Sequence, residues 1–354
     1  MINLYSDTQT RPSEAMRKAM YRAEVADEQR GLDPTTNALE ERVAELLGKE
    51  AGLFLPSGTM CNAISFRLHI ESAGDEAILH EHAHPIVAEA GGPAVISGAM
   101  MHPLVADGGI FTAQQVEDAV RPADRHMPRS RLVSVEQTTN MGGGRVWPQQ
   151  RLREVVEVAR RHDMRTHMDG ARLMNAVVAS GVPAVQHADG FDTAWIDFTK
   201  GLGAGVGACM AASQELIARA WRYKQMWGGA FRQSGVIAAA GLYALDHNVE
   251  RLAEDHENAR VLAEGLAEIP SVDIDPATVE TNIVIFRVPD PAGFLHAVSG
   301  EVELSAVDGG RGVRAVTHMD VGRADVEQAL TAMKRALTLT AGAPSRPGGS
   351  RLVR

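Results

Sequence analysis

From about residue 35 to 245, apolar strand-like runs alternate with helical segments, and this alternation restricts the possible folds more than any other feature of the chain. "TTNALEERVAELLGKE" reads as an amphipathic helix and "AGLFLP" as a buried strand; "GTMCNAISFRLHIES" is helical, "RLVSVE" a strand, and "QQRLREVVEVARRHDM" a helix. "RTHMD", "TAWIDF" and "GACMAA" follow as further strands. Repeated strand–helix units predict an α/β fold with a mostly parallel sheet covered on both faces. After the long helical stretch that ends in "EGLAEI" the pattern changes. "VDIDPATVETNIVIFRV", "VELSAV" and "GVRAVTH" read as strands, with helices near 291–298 and 323–338. The expected organisation is a large domain with an N-terminal arm (1–245), a small α+β domain (246–340) and a disordered Gly/Pro/Ser/Arg tail (341–354).

Composition excludes some partners. The formal charge is −10 over 354 residues, which argues against nucleic acid as the main partner. No apolar run reaches membrane-spanning length, and "MINLYSDTQTRP" has neither the charged nor the apolar region of a signal peptide. Cys61 and Cys209 lie in apolar surroundings without a CxxC pair. They read as reduced thiols of a cytoplasmic protein.

Three short stretches carry chemistry. Lys200, in "IDFTKGLGAGVGACM", stands between a strand and a run of glycines that leave its ammonium group little cover. A lysine desolvated at a strand end is a candidate amine nucleophile; alone, it reads as a lysine snorkelling to solvent. In "FLPSGTMCN" a strand runs into a helix at Ser57, Gly58 and Thr59, where free amides and the helix dipole favour a phosphate. Taken alone, Ser57 is a helix cap. In "THMDGARLMN", Asp169 follows a strand and can face a cationic ring nitrogen, while Arg172 can bind a carboxylate. Alternatively, Asp169 and Arg172 form a structural turn and ion pair. Lys200 lies 31 residues beyond Asp169. A phosphate cradle, an aspartate and a lysine at strand ends, in that order, make a pyridoxal 5'-phosphate site with its Schiff base on Lys200.

The chain resembles the low-specificity L-threonine aldolases, in the aromatic amino acid β-eliminating lyase group of fold-type-I pyridoxal phosphate enzymes. The resemblance rests on "NLYSDTQTRPSEAM", "GLDPTTNALEERVAELLGKEAGLFLPSGTMCN", "HAHPIVAEAGG", "HMDGARLMNA", "TKGLGAGVGA", "GGAFRQSG" and "VRAVTHMD", and spans roughly residues 2 to 340. It implies that Lys200 carries the cofactor, that Asp169 partners its ring nitrogen, and that Ser57, Gly58 and Thr59 hold its phosphate. His84 matches the histidine stacked on the ring. Ser6, Arg172 and Arg314 match the residues around the substrate carboxylate, and Arg172 stands with the cofactor groups too. His126 matches a histidine near the substrate's β-substituent. Arg232 matches an arginine near the phosphate, contributed by a neighbouring subunit. The implied reaction is retro-aldol cleavage of an L-β-hydroxy-α-amino acid to glycine and an aldehyde by a homo-oligomer, a dimer of dimers. His84, His126 or a water held by one of them serves as base.

Other readings are set against this one. β-Elimination, racemisation or transamination on the same scaffold stays open. "GLGAGVGA" has G-x-G-x-G spacing late in the chain and before a strand, which does not fit a dinucleotide loop. His80, His82 and His84 share a face if "HEHAH" is a strand, but nothing completes a zinc site, so no metal is expected.

The chain also departs from its family. "DEQRGLDP" puts Arg30 where the family has a tyrosine and Leu32 where it has a glutamate, and "EQTTN" puts Thr139 in place of a histidine. Arg30 as a fixed cation in the active-site wall would favour acidic β-substituents such as that of β-hydroxyaspartate. The alternative is an Arg30 that points to solvent or pairs with Asp27 or Glu28.

Overall fold

The computed structural model describes residues 1–341, so the tail read as disordered lies outside the described residues apart from Ala341. A short strand, β1 (Ile2–Asn3), comes first. It is followed by β2 (Ala51–Leu55), β3 (Glu76–His80), β4 (Met100–Leu104), β5 (Ser130–Glu136), β6 (Arg165–Asp169), β7 (Thr193–Asp197) and β8 (Ala208–Ala212). Strands β2 to β8 form one seven-stranded sheet in the order β2-β8-β7-β6-β5-β3-β4. Only β8 is reversed; it runs antiparallel to both β2 and β7, while the pairs among β3 to β7 are parallel.

The sheet is covered on both faces, and the sequence shows why. Every residue of β7 and β8 is buried. Alternate side chains of β7 enter different cores: Trp195 packs with Leu53, Ile64 and Met210, whereas Ile196 packs with Phe54, Val133 and Phe198. Two-sided burial explains the unbroken apolar runs. The helix Pro34–Leu47 starts at Asp33, whose side chain accepts the Thr36 amide at 2.9 Å, and stops at Gly48, where φ is +62°. A left-handed residue is what a helix end of this kind needs, and glycine adopts it without steric cost.

Two sheet strands, β3 and β4, have no counterpart in the sequence reading. β4 is an edge strand with Pro103 in it, and proline is tolerated only where no ladder N–H is required. β3 ends at His80, and the chain then turns into a short helix, His84–Val87. His80, His82 and His84 therefore do not alternate along one strand.

The remaining strands are β9 (Ile283–Phe286), β10 (Val302–Glu303), β11 (Ser305–Val307) and β12 (Gly312–Val316). β11, β12 and β9 make an antiparallel sheet, while β10 pairs in parallel with β1. "VELSAV" is thus two strands rather than one, because its halves pair with different partners. The long strand read over "VDIDPATVETNIVIFRV" reduces to β9 and an isolated bridge between Asp273 and Arg287. Pro276 opens a 3-10 turn in between and has no N–H to give a ladder.

Leu4 is fully buried against Leu262, Val284, Phe286 and Val313, so the first residues pack with the C-terminal elements. Among the described residues no helix is long and apolar enough to cross a membrane. Cys61 and Cys209 are free and buried, and burial pushes both thiols well above their usual range. Leu4→Ala is expected to cost about 2–5 kcal/mol, read as a lower urea midpoint, because it opens a cavity in this second core. An unchanged midpoint would mean that the arm is not part of that core.

Candidate active site

Strands β5, β6 and β7 end side by side at Glu136, Asp169 and Asp197, and in a mostly parallel sheet ligands gather outside these carboxyl ends. A cavity of about 440 Å³ opens there. Of the residues singled out in the sequence, Ser6, Ser57, Gly58, Thr59, His84, Asp169, Arg172, Lys200 and Arg314 all line it.

The helix Gly58–His69 starts at the cavity wall. The Ser57 hydroxyl accepts the Met60 amide at 3.2 Å, so Ser57 is a cap. Among the described residues no acceptor meets the amides of Gly58 and Thr59, which leaves two donors for an anion. A Cβ at Gly58 would overlap the Trp195 ring, so only glycine fits there. Two open amides at a positive helix end fit a phosphate group.

Asp169 is buried. Its carboxylate accepts the Asn62 side-chain amide at 2.8 Å and the Ala171 backbone amide at 3.0 Å. Burial pushes its pKa up, offset in part by Asn62, His84 and Lys200. Glu136 is its register neighbour across β5 and β6, and burial followed by the Asp169 charge pushes it up to about 7. A cation placed against Asp169 would relieve this concentration of acid. A ring nitrogen that carries a proton fits that position, and with the phosphate-binding helix end the donor set suits pyridoxal phosphate.

Asn62 links Asp169 to the histidine. Its side-chain N–H also donates to Glu89 at 2.7 Å, and Glu89 accepts from His84 Nδ1 at 2.8 Å. That bond to Glu89 raises the His84 pKa against the effect of burial. Lys200, three residues beyond β7, forms an ion pair with Asp197, whose other oxygen accepts the Thr199 amide at 2.7 Å. The Thr10 hydroxyl holds the Lys200 carbonyl at 2.8 Å, and the Lys200 ammonium lies 5.9 Å from the Trp195 ring centre.

The two arginines differ. Arg172 does not pair with Asp169; its Nε and Nη2 grip Asp7 at 2.7 and 2.6 Å. Burial opposes ionisation of Asp7, but Arg172 outweighs it and holds the carboxyl well below its usual range. Arg172 thus holds a carboxylate of its own chain while still lining the cavity. Arg314 donates to Asn140 Oδ1 at 2.8 Å and to the Tyr5 carbonyl at 3.3 Å, and its buried Nε has no partner. Burial and the Arg172 charge push its pKa down to about 10. Ser6 is buried beside it and accepts the Thr8 amide at 3.2 Å.

Three expected site residues stand elsewhere in this single chain. His126 is exposed and accepts from Arg125 Nε at 3.2 Å. The Arg232 guanidinium lies 3.4 Å from Asp27 in an exposed pair. Arg30 is the exposed last residue of a 3-10 turn and does not line the cavity. It pairs with neither candidate acid: Asp27 is taken by Arg232, and Glu28 by the buried Lys224 at 3.1 Å. Thr139 is buried, in contact with the positions next to Gly109 and Gly142.

Sequence reasoning missed Asp7, Asn62, Glu89, Glu136, Asn140 and Asp197. A signal existed for some of them. Asp7 adjoins Ser6, and Asp197 precedes Lys200 at i−3 inside the stretch that drew attention to the lysine. Asn62 and Glu89 had none, since only the fold brings them to Asp169 and His84.

Comparison with known proteins places the chain in a family. A family model described as beta-eliminating lyase matches residues 3–289. The chain belongs to the beta-eliminating lyase family. The low specificity L-threonine aldolase of Escherichia coli (strain K12) is 41% identical over 324 residues, 91% of this chain and 95% of that protein. Low-specificity L-threonine aldolase 1 of Arabidopsis thaliana is 38% identical over 355 residues, 98% of each chain. The solved threonine aldolase of Leishmania major superposes with a TM-score of 0.83 at 18% identity, covering 95% of this chain and 100% of that one, which shows a shared fold.

The His84–Glu89 pair makes a testable statement. Glu89→Gln removes the largest influence that keeps the proton on the imidazole and leaves burial opposed only by the Asp169 and Glu136 charges, so the His84 titration should move down. NMR of the ring protons reads this directly. A titration that stays put would show that Glu89 does not hold the histidine proton.

Proposed function

We propose that this family member is a pyridoxal phosphate-dependent aldolase that cleaves L-threonine, L-allo-threonine and related L-β-hydroxy-α-amino acids to glycine and an aldehyde. The observation that carries the reading is the convergence of Lys200, Asp169, His84, Arg314 and the free Gly58 and Thr59 amides on one cavity. The similarity to proteins named low-specificity L-threonine aldolases over more than nine-tenths of the chain supports it.

Lys200 is the residue to hold the cofactor covalently, Asp169 to face its ring nitrogen, and the Gly58 and Thr59 amides to hold its phosphate. Bound there, pyridoxal phosphate supplies an electron sink for bond breaking at the α-carbon of an amino acid. The chain's own groups choose the bond. Arg314, with Ser6 beside it, holds the substrate carboxylate. Fixing the carboxylate fixes the orientation of the α-carbon, and so which of its bonds faces the sink. His84 takes the proton of the β-hydroxyl as the bond to the β-carbon breaks, and Glu89 steadies the imidazolium that results. Because Glu89 raises the His84 pKa, the free base grows only as pH rises through that raised value, and the rate of this step should rise with it.

Arg232 and His126 would reach a cavity only in an assembly. Homo-oligomerisation as a dimer of dimers would place Arg232 and His126 at a neighbour's site. In this reading Arg30 is a solvent-facing residue that leaves substrate choice to the cavity. The cytoplasm is the proposed compartment.

The deciding experiment offers L-threonine to the cofactor-loaded protein and measures glycine with acetaldehyde against ammonia with an oxo acid. Glycine is expected, and ammonia release in its place would make the chain an eliminating lyase. Lys200→Ala should lose the cofactor's borohydride-trappable linkage and nearly all turnover. Retention of both would remove Lys200 from this role.

A further inference from the structure

We propose that Asn140 is a positioning residue whose neutral side chain keeps Arg314 uncommitted, so that its charge is free for the substrate carboxylate. This rests on the aldolase reading and extends it to how the site selects an amino acid.

The other cations around the cavity are each paired with a carboxylate. Lys200 is paired with Asp197, Arg172 with Asp7 and His84 with Glu89. Arg314 is the exception. Among the described residues no ion pair forms on it, and its hydrogen bonds go to the Asn140 side-chain oxygen and the Tyr5 carbonyl. Its Nε is buried without an acceptor. A buried guanidinium that lacks a counter-ion is costly to maintain, and an incoming carboxylate removes that cost by forming charge-assisted hydrogen bonds.

Asn140 sits where an acid would destroy this arrangement. Its side-chain oxygen takes Arg314 Nη2 at 2.8 Å and lies 3.4 Å from Arg172 Nη1, between two guanidinium groups. A carboxylate there would gain from both cations and neutralise Arg314 from within. The amide accepts the same hydrogen bond without a charge. Its place is fixed from behind, since the Asn140 backbone amide donates to Glu136 Oε2 at 2.9 Å. The Arg314 backbone is set independently by β12, in register with Ile285 and Ser305. Asn140 therefore acts on the guanidinium end alone.

The test compares glycine with 2-aminoethanol, which carries the amine but no carboxylate. Each is titrated into the full-length, cofactor-loaded protein, and binding is followed by the change in cofactor absorbance; KM and kcat for L-threonine are measured alongside. Asn140→Asp, close to isosteric, should weaken glycine about 10- to 100-fold, the value of a charged hydrogen bond, and leave 2-aminoethanol within about twofold. KM should rise by the same factor, with a smaller change in kcat. Asn140→Ser keeps a neutral acceptor and should stay within about fivefold of the parent for both ligands. The proposal is overturned if Asn140→Asp binds glycine normally, if both ligands weaken equally, or if Asn140→Ser loses as much as Asn140→Asp. Loss of cofactor from the Asp variant alone would also overturn it, since the added charge would then act on the cofactor. A parent protein that discriminates glycine from 2-aminoethanol yet releases no glycine from threonine would refute the aldolase reading and leave the role of Asn140 standing.

Discussion

The buried pair between Asp7 and Arg172 joins three parts of the molecule that the rest of the site relies on. Asp7 belongs to the N-terminal arm, Arg172 to the turn after β6, and Asn282, which donates to the same Asp7 carboxylate at 3.0 Å, precedes β9. Removing one member of such a pair leaves a buried charge without a partner, typically a loss of about 3–5 kcal/mol. The pair also frees the rest of the chemistry from Arg172. With that cation occupied, Arg314 is left as the cavity's cation without a carboxylate partner among the described residues, and Ser6 and the Tyr5 carbonyl belong to the same arm.

A second constraint is the sheet register. Glu136 and Asp169 are opposite each other at adjacent strand ends, and among the described residues neither forms an ion pair. Burial pushes both upward, and at Glu136 the Asp169 charge adds to it. The fold tolerates this because the hydrogen bonds of Asn62, Ala171 and Asn140 share the load. A site that stays acidic and underpaired is suited to receive a cationic ring.

Much of the fold was legible because its central strands are buried on both faces and read as unbroken apolar runs. The helix start at Ser57 was legible for a different reason, the capping chemistry of its side chain. Strand β4 escaped notice because an edge strand with Pro103 has no such signature. The C-terminal strands were harder: β10 and β11 are contiguous in "VELSAV", and only their distant partners separate them. In the site, the placement of Lys200 and Asp169 at strand ends was readable from local context, whereas the Asp7 partner of Arg172 lies 165 residues away. Pairing at that range leaves no local trace.

The union of β1 with β10 has a consequence for how the protein comes into being. Ile2 finds its register partner at Val302, and the arm's Tyr5 carbonyl waits for Arg314. At ribosomal speeds of about 5–20 residues per second, the arm spends on the order of 15–60 seconds outside the tunnel before those partners are made. The large sheet can condense in that interval, since β2 to β8 are complete by residue 212. The corner around Arg314 cannot. It closes only after Arg314 has been made, so a nascent chain can carry a complete sheet beside an incomplete site.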